Sequence, residues 1–560
     1  MEHLYKEHSL RKQKCLNGDW KFITDPEDKG TENQWYKNFP EDYRYINVPG
    51  CWNYELDLFA YRGKAWYLKE FDTDDCYLQI SFGAVTGLAK VYLDGELLGE
   101  HYGGWLLFEF EKEVKAGKHT LVVLVDNSSN SLNTFPLNVV DWYKYGGITR
   151  SVEVTEFSKP FIRKNRISYS LNDTLDNACV SATVTLVNPY KREYKTTVKL
   201  FAEDKLIAEK KVSFKGEETF SFGDAVLEDI KLWDINDGNL YNFRITTDDD
   251  DVYEKIGFRK IEAKNQAIYL NNKSIFMKGV NRHEQHPDWG YAVPANINKR
   301  DLQIIKNLNC NTIRGSHYPN SHTFLDYLDR EGMLFWSEIP MWGFKEEACA
   351  DELTHTRALK MHEEMIEQYY NHPCIVMWGL HNEIVTDTSE GYELTKKLYN
   401  FVKEKDNSRL IVFASNHFDT DICFNFSDVI CMNRYNGWYS GKISDWSELL
   451  HGMRDSLIQR GQDDKPIIIS EFGCPGLYEY SSFNNNKWSM QYQSDFLSEV
   501  ITNSIKEPGI CGTLIWQFCN TASDKDLAKA RGFNNKGLVD EYRRPKLSYY
   551  TVRDLYKNID

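Results

Sequence analysis

Two short strings near the middle of the chain each run through apolar, strand-like residues and stop on a glutamate. They are WGLHNE at 378–383, ending on Glu383, and IIISEFG at 467–473, which contains Glu471. A carboxylate at the mouth of a buried strand costs on the order of several kcal/mol unless it is paired or put to use. Two such groups facing each other are the minimum equipment for cleaving a glycosidic bond. One protonates the leaving oxygen while the other attacks the anomeric carbon; a separation of about 5–5.5 Å makes the reaction a retaining one, through a covalent glycosyl-enzyme. The acid has to be protonated at neutral pH, so its surroundings should raise its pKa, and the nucleophile has to stay ionised. One glutamate after a strand is equally well read as half of a structural ion pair, whereas two in one domain favour the chemistry. The residues alone leave open which glutamate plays which part.

The elements around these strings fit that use. From residue 263 onward apolar strands alternate with helical patterns, the signature of βα units. Strands are expected near 275–280, 312–314, 334–339, 375–380, 410–414, 429–433, 466–471 and 512–518. Helices are expected at stretches such as 299–308 and 321–331, the second following Asn320/Ser321 and stopping at Gly332. Eight such strands make a (β/α)8 TIM barrel, whose site lies at the C-terminal strand ends. Glu383 then follows strand four and Glu471 ends strand seven, nearly opposite across the mouth. The N-terminal part has a different texture, with short alternating strands at 77–82, 89–101 and 119–127 and a hairpin signal at Asp94-Gly95. The expected organisation is a jelly-roll-like β-sandwich at 1–160, an immunoglobulin-like β-sandwich at 161–262, and the barrel at 263–560.

Composition narrows the partners. The chain of 560 residues carries a formal charge of −16 and shows no basic stripe, which argues against nucleic acid; an anionic substrate would need local cations. Aromatics make up 14% of the residues, with 15 Trp and 34 Tyr, read either as sugar-stacking rings or as sandwich core. No apolar run of membrane-spanning length and no leader-like apolar segment is visible, so neither a membrane span nor secretion is expected. The twelve cysteines include no CxxC pair, which points to reduced thiols and a cytoplasmic setting rather than zinc or disulfides.

NHPCIVMWGLHNE at 371–383 resembles the acid/base signature of glycoside hydrolase family 2, the family of β-glucuronidases and β-galactosidases. The similarity spans nearly the whole chain, including the domain order. It implies Glu383 as general acid/base, Glu471 as nucleophile, Asn382 as the partner of the sugar 2-hydroxyl, and no cofactor. KGVNRHEQHP at 278–287 and RGSHYPN at 314–320 place His283 and His317 at the mouth. His283, Glu284 and His286 suggest a metal, but the spacing is not HExxH, and hydrogen bonding to substrate is the favoured reading. NRYNGWY, running from Asn433 through Tyr435 to Tyr439, is similar to a β-glucuronidase string that sets a tyrosine beside the nucleophile. Trp516, at the end of strand eight, is either a sugar-stacking platform or core.

The sugar is suggested by RGFNNKGLVDEYRRPK at 531–546. β-Glucuronidases carry an Asn-x-Lys motif here that grips the uronic acid carboxylate, and Asn534 and Lys536 match it. An ammonium held against a carboxylate contributes roughly 1.5–3 kcal/mol, and a neutral sugar would leave it unpaired. The same tripeptide is also good turn chemistry. DWYKYGG resembles a sandwich segment that sends an aspartate to the site, making Asp141 a candidate contact. The resemblance thus implies an exo-acting, retaining β-glucuronidase that associates with copies of itself, with a β-galactosidase or β-galacturonidase as the alternative and a non-catalytic sugar-binding protein as the remote one. NRHEQHP is nearer the β-galactosidase form, and Arg531 is displaced from the place where an arginine often precedes Asn-x-Lys. The segment between strands three and four is short, so an open mouth that admits bulky aglycones is expected.

Overall fold

The computed structural model describes residues 3–129, 131–523 and 529–559. In the N-terminal part, alternation of buried and exposed positions builds two antiparallel sheets packed face to face. One has the strand order Lys12–Cys15, Val152–Phe157, Cys76–Phe82, Phe108–Val114. The other runs Arg44–Val48, Gly18–Asp25, Lys64–Thr73, Gly117–Asp126, Leu88–Leu93, Glu96–Tyr102. Trp20, Phe22, Leu78, Ile80, Val91 and Leu121 fill the space between them. Asp94 and Gly95 form the turn between the last two strands with φ of 52° and 80°, the left-handed pair that a two-residue hairpin requires.

The second sandwich pairs Phe161–Leu171, Ala178–Val187 and Glu217–Leu227 in one sheet. Its other sheet has the order Lys205–Phe214, Tyr194–Ala202, Tyr241–Thr246, Asp251–Ile256. Seven strands around a Val/Leu/Phe core are the immunoglobulin-like arrangement.

The C-terminal part is a closed barrel of eight parallel strands: Met277–Asn281, Thr312–Gly315, Leu334–Glu338, Ile375–Asn382, Leu410–Ser415, Ile430–Asn433, Ile467–Phe472 and Ile510–Ile515. The fourth is buried at every position, as expected of a strand covered on both faces. Helix His322–Glu331 stops at Gly332, whose φ of 61° ends it in the left-handed conformation. Two details differ from the sequence reading. The run expected as one strand at 275–280 is divided. Lys273–Ile275 closes a small antiparallel meander with Ile261–Lys264 and Ala267–Leu270, and the barrel strand starts at Met277. In the fifth unit a 3-10 turn, Phe424–Phe426, takes the place of the α-helix between strands five and six. There Asp421 gathers the hydroxyls of Ser415 and Thr386 and the Cys423 N–H, so the segment folds around a carboxylate instead of an apolar stripe.

The first sandwich lies against the barrel mouth through aromatic rings. Trp105 stacks on Tyr318 at 4.8 Å, and the Tyr291 hydroxyl donates to the Tyr143 carbonyl at 2.9 Å. Much of the aromatic content is therefore sandwich core and domain interface.

Candidate active site

Glu383 is the first residue beyond the fourth strand and has a φ of 51°. Left-handed backbone at a residue other than glycine costs on the order of 1–3 kcal/mol and persists where its surroundings hold it. Here the Glu383 N–H donates to the Ala414 carbonyl at 2.9 Å, while Asn382 is clamped by the Met341 carbonyl and the Gly343 N–H. The bend lets the Glu383 carboxyl meet the sixth strand, where Asn433 Nδ2 donates to its Oε1 at 2.8 Å. Glu471 lies within the seventh strand. Its Oε1 accepts from Arg314 Nη1 at 2.8 Å, and its Oε2 accepts from the Tyr435 hydroxyl at 2.8 Å.

Arg314 joins the two halves. Its guanidinium is fully buried and donates twice to Glu338 (3.1 and 3.0 Å), to Asn281 Oδ1 (3.2 Å) and to Asn382 Oδ1 (2.7 Å), besides Glu471. Asn433 also donates to Asn382 Oδ1 at 3.2 Å. One hydrogen-bonded chain thus runs Glu383–Asn433–Asn382–Arg314–Glu471–Tyr435 across the barrel mouth. Such a network fixes each member's rotamer only because every link is made.

The electrostatics of the two glutamates differ. Burial, and then the charge of Glu471, push Glu383 up to about 8, against the Asn433 hydrogen bond. Glu471 instead faces a buried guanidinium and a phenol, each donating to one of its oxygens. Burial and Glu471 hold the Tyr435 phenol well above the usual tyrosine range, so it stays a donor. His317 is pushed down to about 3 by burial and Arg314; its Nδ1 lies 2.7 Å from Glu338 Oε1 and its Nε2 3.9 Å from Glu471 Oε1. His283 is likewise held well below its ordinary value by burial, then by His317.

The remaining sequence candidates surround this chain. Asn382 Nδ2 is buried and has no hydrogen-bond partner among the described residues, and the same holds for His283 Nε2, Asn534 Nδ2 and Trp142 Nε1. An unpaired buried donor costs about 1–3 kcal/mol, so a mouth with several is suited to a polyhydroxylated ligand. His283 Nδ1 is engaged by the Tyr318 hydroxyl at 3.3 Å, which leaves Nε2 as the ring atom for a ligand. Trp516 follows the eighth strand directly; the His317 ring stacks on it at 5.1 Å and the His283 ring meets it edge-on at 5.4 Å. Lys536 is buried, its Nζ donating to the Tyr439 hydroxyl at 2.8 Å and lying 5.4 Å from the centre of the Tyr435 ring. Asn534 Oδ1 accepts from the Lys536 N–H at 3.4 Å. Asp141 comes from the first sandwich, with Lys529 Nζ 3.4 Å from its Oδ2.

Three residues at the site escaped the sequence reading. Arg314 and Glu338 were legible in principle, since an arginine or glutamate inside an apolar barrel strand needs a partner. Lys529 had no such signal. It immediately precedes the 3-10 turn Ala530–Gly532, where the Ser523 N–H donates to the Gly532 carbonyl and Asn535 Nδ2 to the Ala530 carbonyl. Burial, and then the charge of Lys536, lower the Lys529 ammonium from its ordinary value, so two cations share this corner. Arg531 is half exposed and pairs with Glu541 away from the chain described above. Glu284 accepts from Ser321 N–H (3.0 Å), Ser321 Oγ (2.7 Å) and Arg150 (3.1 Å), a structural use that also draws the Ser321 hydroxyl away from capping its helix. A cleft of about 770 Å³ leads from Glu383 between the barrel and the sandwich, walled by Leu132, Leu137 and Val139 on one side and Trp342 and Lys345 on the other.

Two carboxyl groups in contrasting surroundings at the C-terminal mouth of an eight-stranded barrel define a glycoside hydrolase. Family models agree: "Glycosyl hydrolases family 2, TIM barrel domain" matches residues 261–560, the family's sugar binding domain matches 13–160, and a further family 2 model matches 161–259. The chain belongs to glycoside hydrolase family 2. It is 29% identical over 538 residues to a β-glucuronidase of Streptococcus agalactiae, covering 87% of each chain. Among solved structures it resembles a β-galacturonidase from Eisenbergiella tayi bound to galacturonate, with a TM-score of 0.93, 31% identity and full coverage of both chains. It also resembles a β-glucuronidase of Ruminococcus gnavus, with a TM-score of 0.88, 25% identity and 99% coverage of each.

Proposed function

We propose that the protein is a retaining, exo-acting β-glucuronidase. Glu471 attacks the anomeric carbon as the glycosidic C–O bond breaks, and Glu383 delivers its proton to the departing oxygen. Glu383, now a carboxylate, takes a proton from water, whose oxygen displaces Glu471 and frees the sugar. Asn382 Nδ2 meets the 2-hydroxyl, and Tyr435 and Arg314 hold the Glu471 carboxylate in line. The unpaired Nε2 of His283 and Nδ2 of Asn534, with Asp141, His317 and Trp516, form the wall around the sugar ring.

The observation that carries the sugar assignment is Lys536, a buried ammonium on the Tyr435/Tyr439 pair, one residue away from the Tyr435–Glu471 hydrogen bond. A C6 carboxylate offers it a charge-assisted partner, and a C6 hydroxymethyl does not. The test is turnover of aryl β-D-glucuronide, β-D-galacturonide and β-D-galactoside by wild type and Lys536→Ala. The variant should lose uronide cleavage by roughly 10–100-fold, matching about 1.5–3 kcal/mol. Intact uronide turnover in the variant would refute the clamp. Labelling of Glu471 by a 2-deoxy-2-fluoro glycoside tests the retaining route.

A second reading, β-galacturonidase, is favoured by the 31% identity and TM-score of 0.93 to a protein with that name. The two sugars share the carboxylate and differ at C4, so Lys536 serves either, and the substrate panel ranks them. The cleft beside Leu132, Val139 and Trp342 supports bulky aglycones. Self-association and a cytoplasmic setting follow from family analogy and from the cysteine pattern. Among the described residues no helix is long and apolar enough to cross a membrane.

A further inference from the structure

Apart from the residues of the sugar site, three histidines converge where the N-terminal segment passes between the immunoglobulin-like domain and the barrel. We propose that His3, His322 and His372 bind a divalent transition-metal ion of the zinc class, which pins the start of the chain to the barrel wall. Each ring presents one nitrogen, and the three nitrogens lie within 4.8 Å of one another. His322 Nδ1 and His372 Nε2 are 3.0 Å apart. Ligands about 2.0–2.1 Å from a tetrahedral zinc are separated by roughly 3.3 Å, so closing the site on an ion needs side-chain adjustments of an ångström or so.

The surroundings are those a metal site uses. His372 Nδ1 is 2.5 Å from Asp329 Oδ2, and His3 Nδ1 is 3.0 Å from Asp326 Oδ1. A carboxylate on the far ring nitrogen fixes the tautomer, aims the other lone pair and makes it a better ligand. Those carboxylates are themselves fixed: Asp329 Oδ1 accepts from the Cys374 N–H at 2.9 Å and Asp326 Oδ2 from the Leu4 N–H at 2.6 Å. His322, Asp326 and Asp329 share one face of helix His322–Glu331 through i, i+4, i+7 spacing. Asp326 and Asp329 set carboxyl groups directly against the cluster, where they could balance a dication. A cleft of about 1170 Å³, lined in part by His3, His322 and Glu254, gives an ion its entry path. The sequence reading expected no metal, from the absence of a CxxC pair and the lack of HExxH spacing around His283, and residues 3, 322 and 372 are too far apart in sequence to form a motif of either kind.

The test uses the full chain, purified without a metal-affinity tag and dialysed against EDTA. Zinc is titrated calorimetrically and cobalt is followed by its visible absorption. Wild type should bind one equivalent of either ion, with a rise in melting temperature. His3→Gln and His322→Gln should weaken binding at least 100-fold while aryl-glycoside turnover persists. Should His322→Gln fail to fold, His3→Gln decides alone, since residue 3 lies in the segment before the first strand. No stoichiometric binding by wild type, or binding unchanged in His3→Gln, would overturn the proposal and leave a hydrogen-bonded histidine junction.

Discussion

Replacing Glu383 by glutamine removes a proton site without changing its shape, and the structure sets the size of the effect. Burial and Glu471 lift this carboxyl from 4.5 to about 8 in the folded protein. An unfolded chain restores the ordinary value, so between these two pH values the folded state holds a proton that the unfolded state has released. The folded pKa is the raised one. Its contribution to stability is therefore complete below about pH 4.5 and is lost as pH rises through about 8. Each pH unit in that window removes about 1.4 kcal/mol, which makes the deficit about 3 kcal/mol at pH 7 and about 5 kcal/mol above pH 8. Glutamine has no proton to lose. Relative to wild type, Glu383→Gln should therefore match at pH 4 and gain about 3 kcal/mol at pH 7. Urea unfolding followed by tryptophan fluorescence from pH 4 to 9 measures the difference, with the barrel transition assigned by its loss of bound inhibitor. The same variant should lose about 10²–10⁴ in turnover of substrates with poor leaving groups. A wild-type-to-variant gap that stays constant across pH would refute the reasoning, because it would mean that Glu383 holds no extra proton.

Asn433→Ala removes a donor that favours the charged form of Glu383, so the alkaline limb of kcat/KM, expected near pH 8, should move upward; no shift or a downward one would contradict the contact. Tyr435→Phe takes one donor from Glu471 and should lower kcat roughly 10–100-fold with little change in KM, the loss of a hydrogen bond to a charged group. Lys529→Ala should raise KM for an aryl glucuronide about tenfold and leave galactoside turnover unchanged, since this second cation shares the corner of Lys536. An equal effect on both substrates would show that Lys529 only holds Asp141.

The barrel was legible because its strands are continuous apolar runs, and a glutamate closing such a run is conspicuous. Asp94-Gly95 and Gly332 were legible because their backbone conformations admit few residues. The division at Ile275 was not, since Lys273–Ile275 and Met277–Asn281 run on with a single residue between them, and only their partners separate them: the first pairs locally with Ala267–Leu270, the second with Gly512–Ile515 far along the chain. Nor was the missing helix of the fifth unit, where burial of Asp421 overrides local pattern. Around the glutamates, the string RGSHYPN displayed Arg314, but its partners lie on strands one, three, four and seven. Only the closed barrel brings them together. Ser321 reads as a cap and is spent on Glu284. Lys529 stands in a stretch of sequence that carries no pattern at all.

The sandwich segment that sends Asp141 and Trp142 over the barrel has a modular consequence. An excised barrel would retain both glutamates yet present half a pocket, its cleft lacking the Leu132–Val139 wall. The two walls of that cleft thus come from separate stretches of chain, one in the sandwich and one in the barrel. Exchanging residues 131–139 would therefore rebuild one wall of the cleft while the barrel strands that position Glu383 and Glu471 stay untouched.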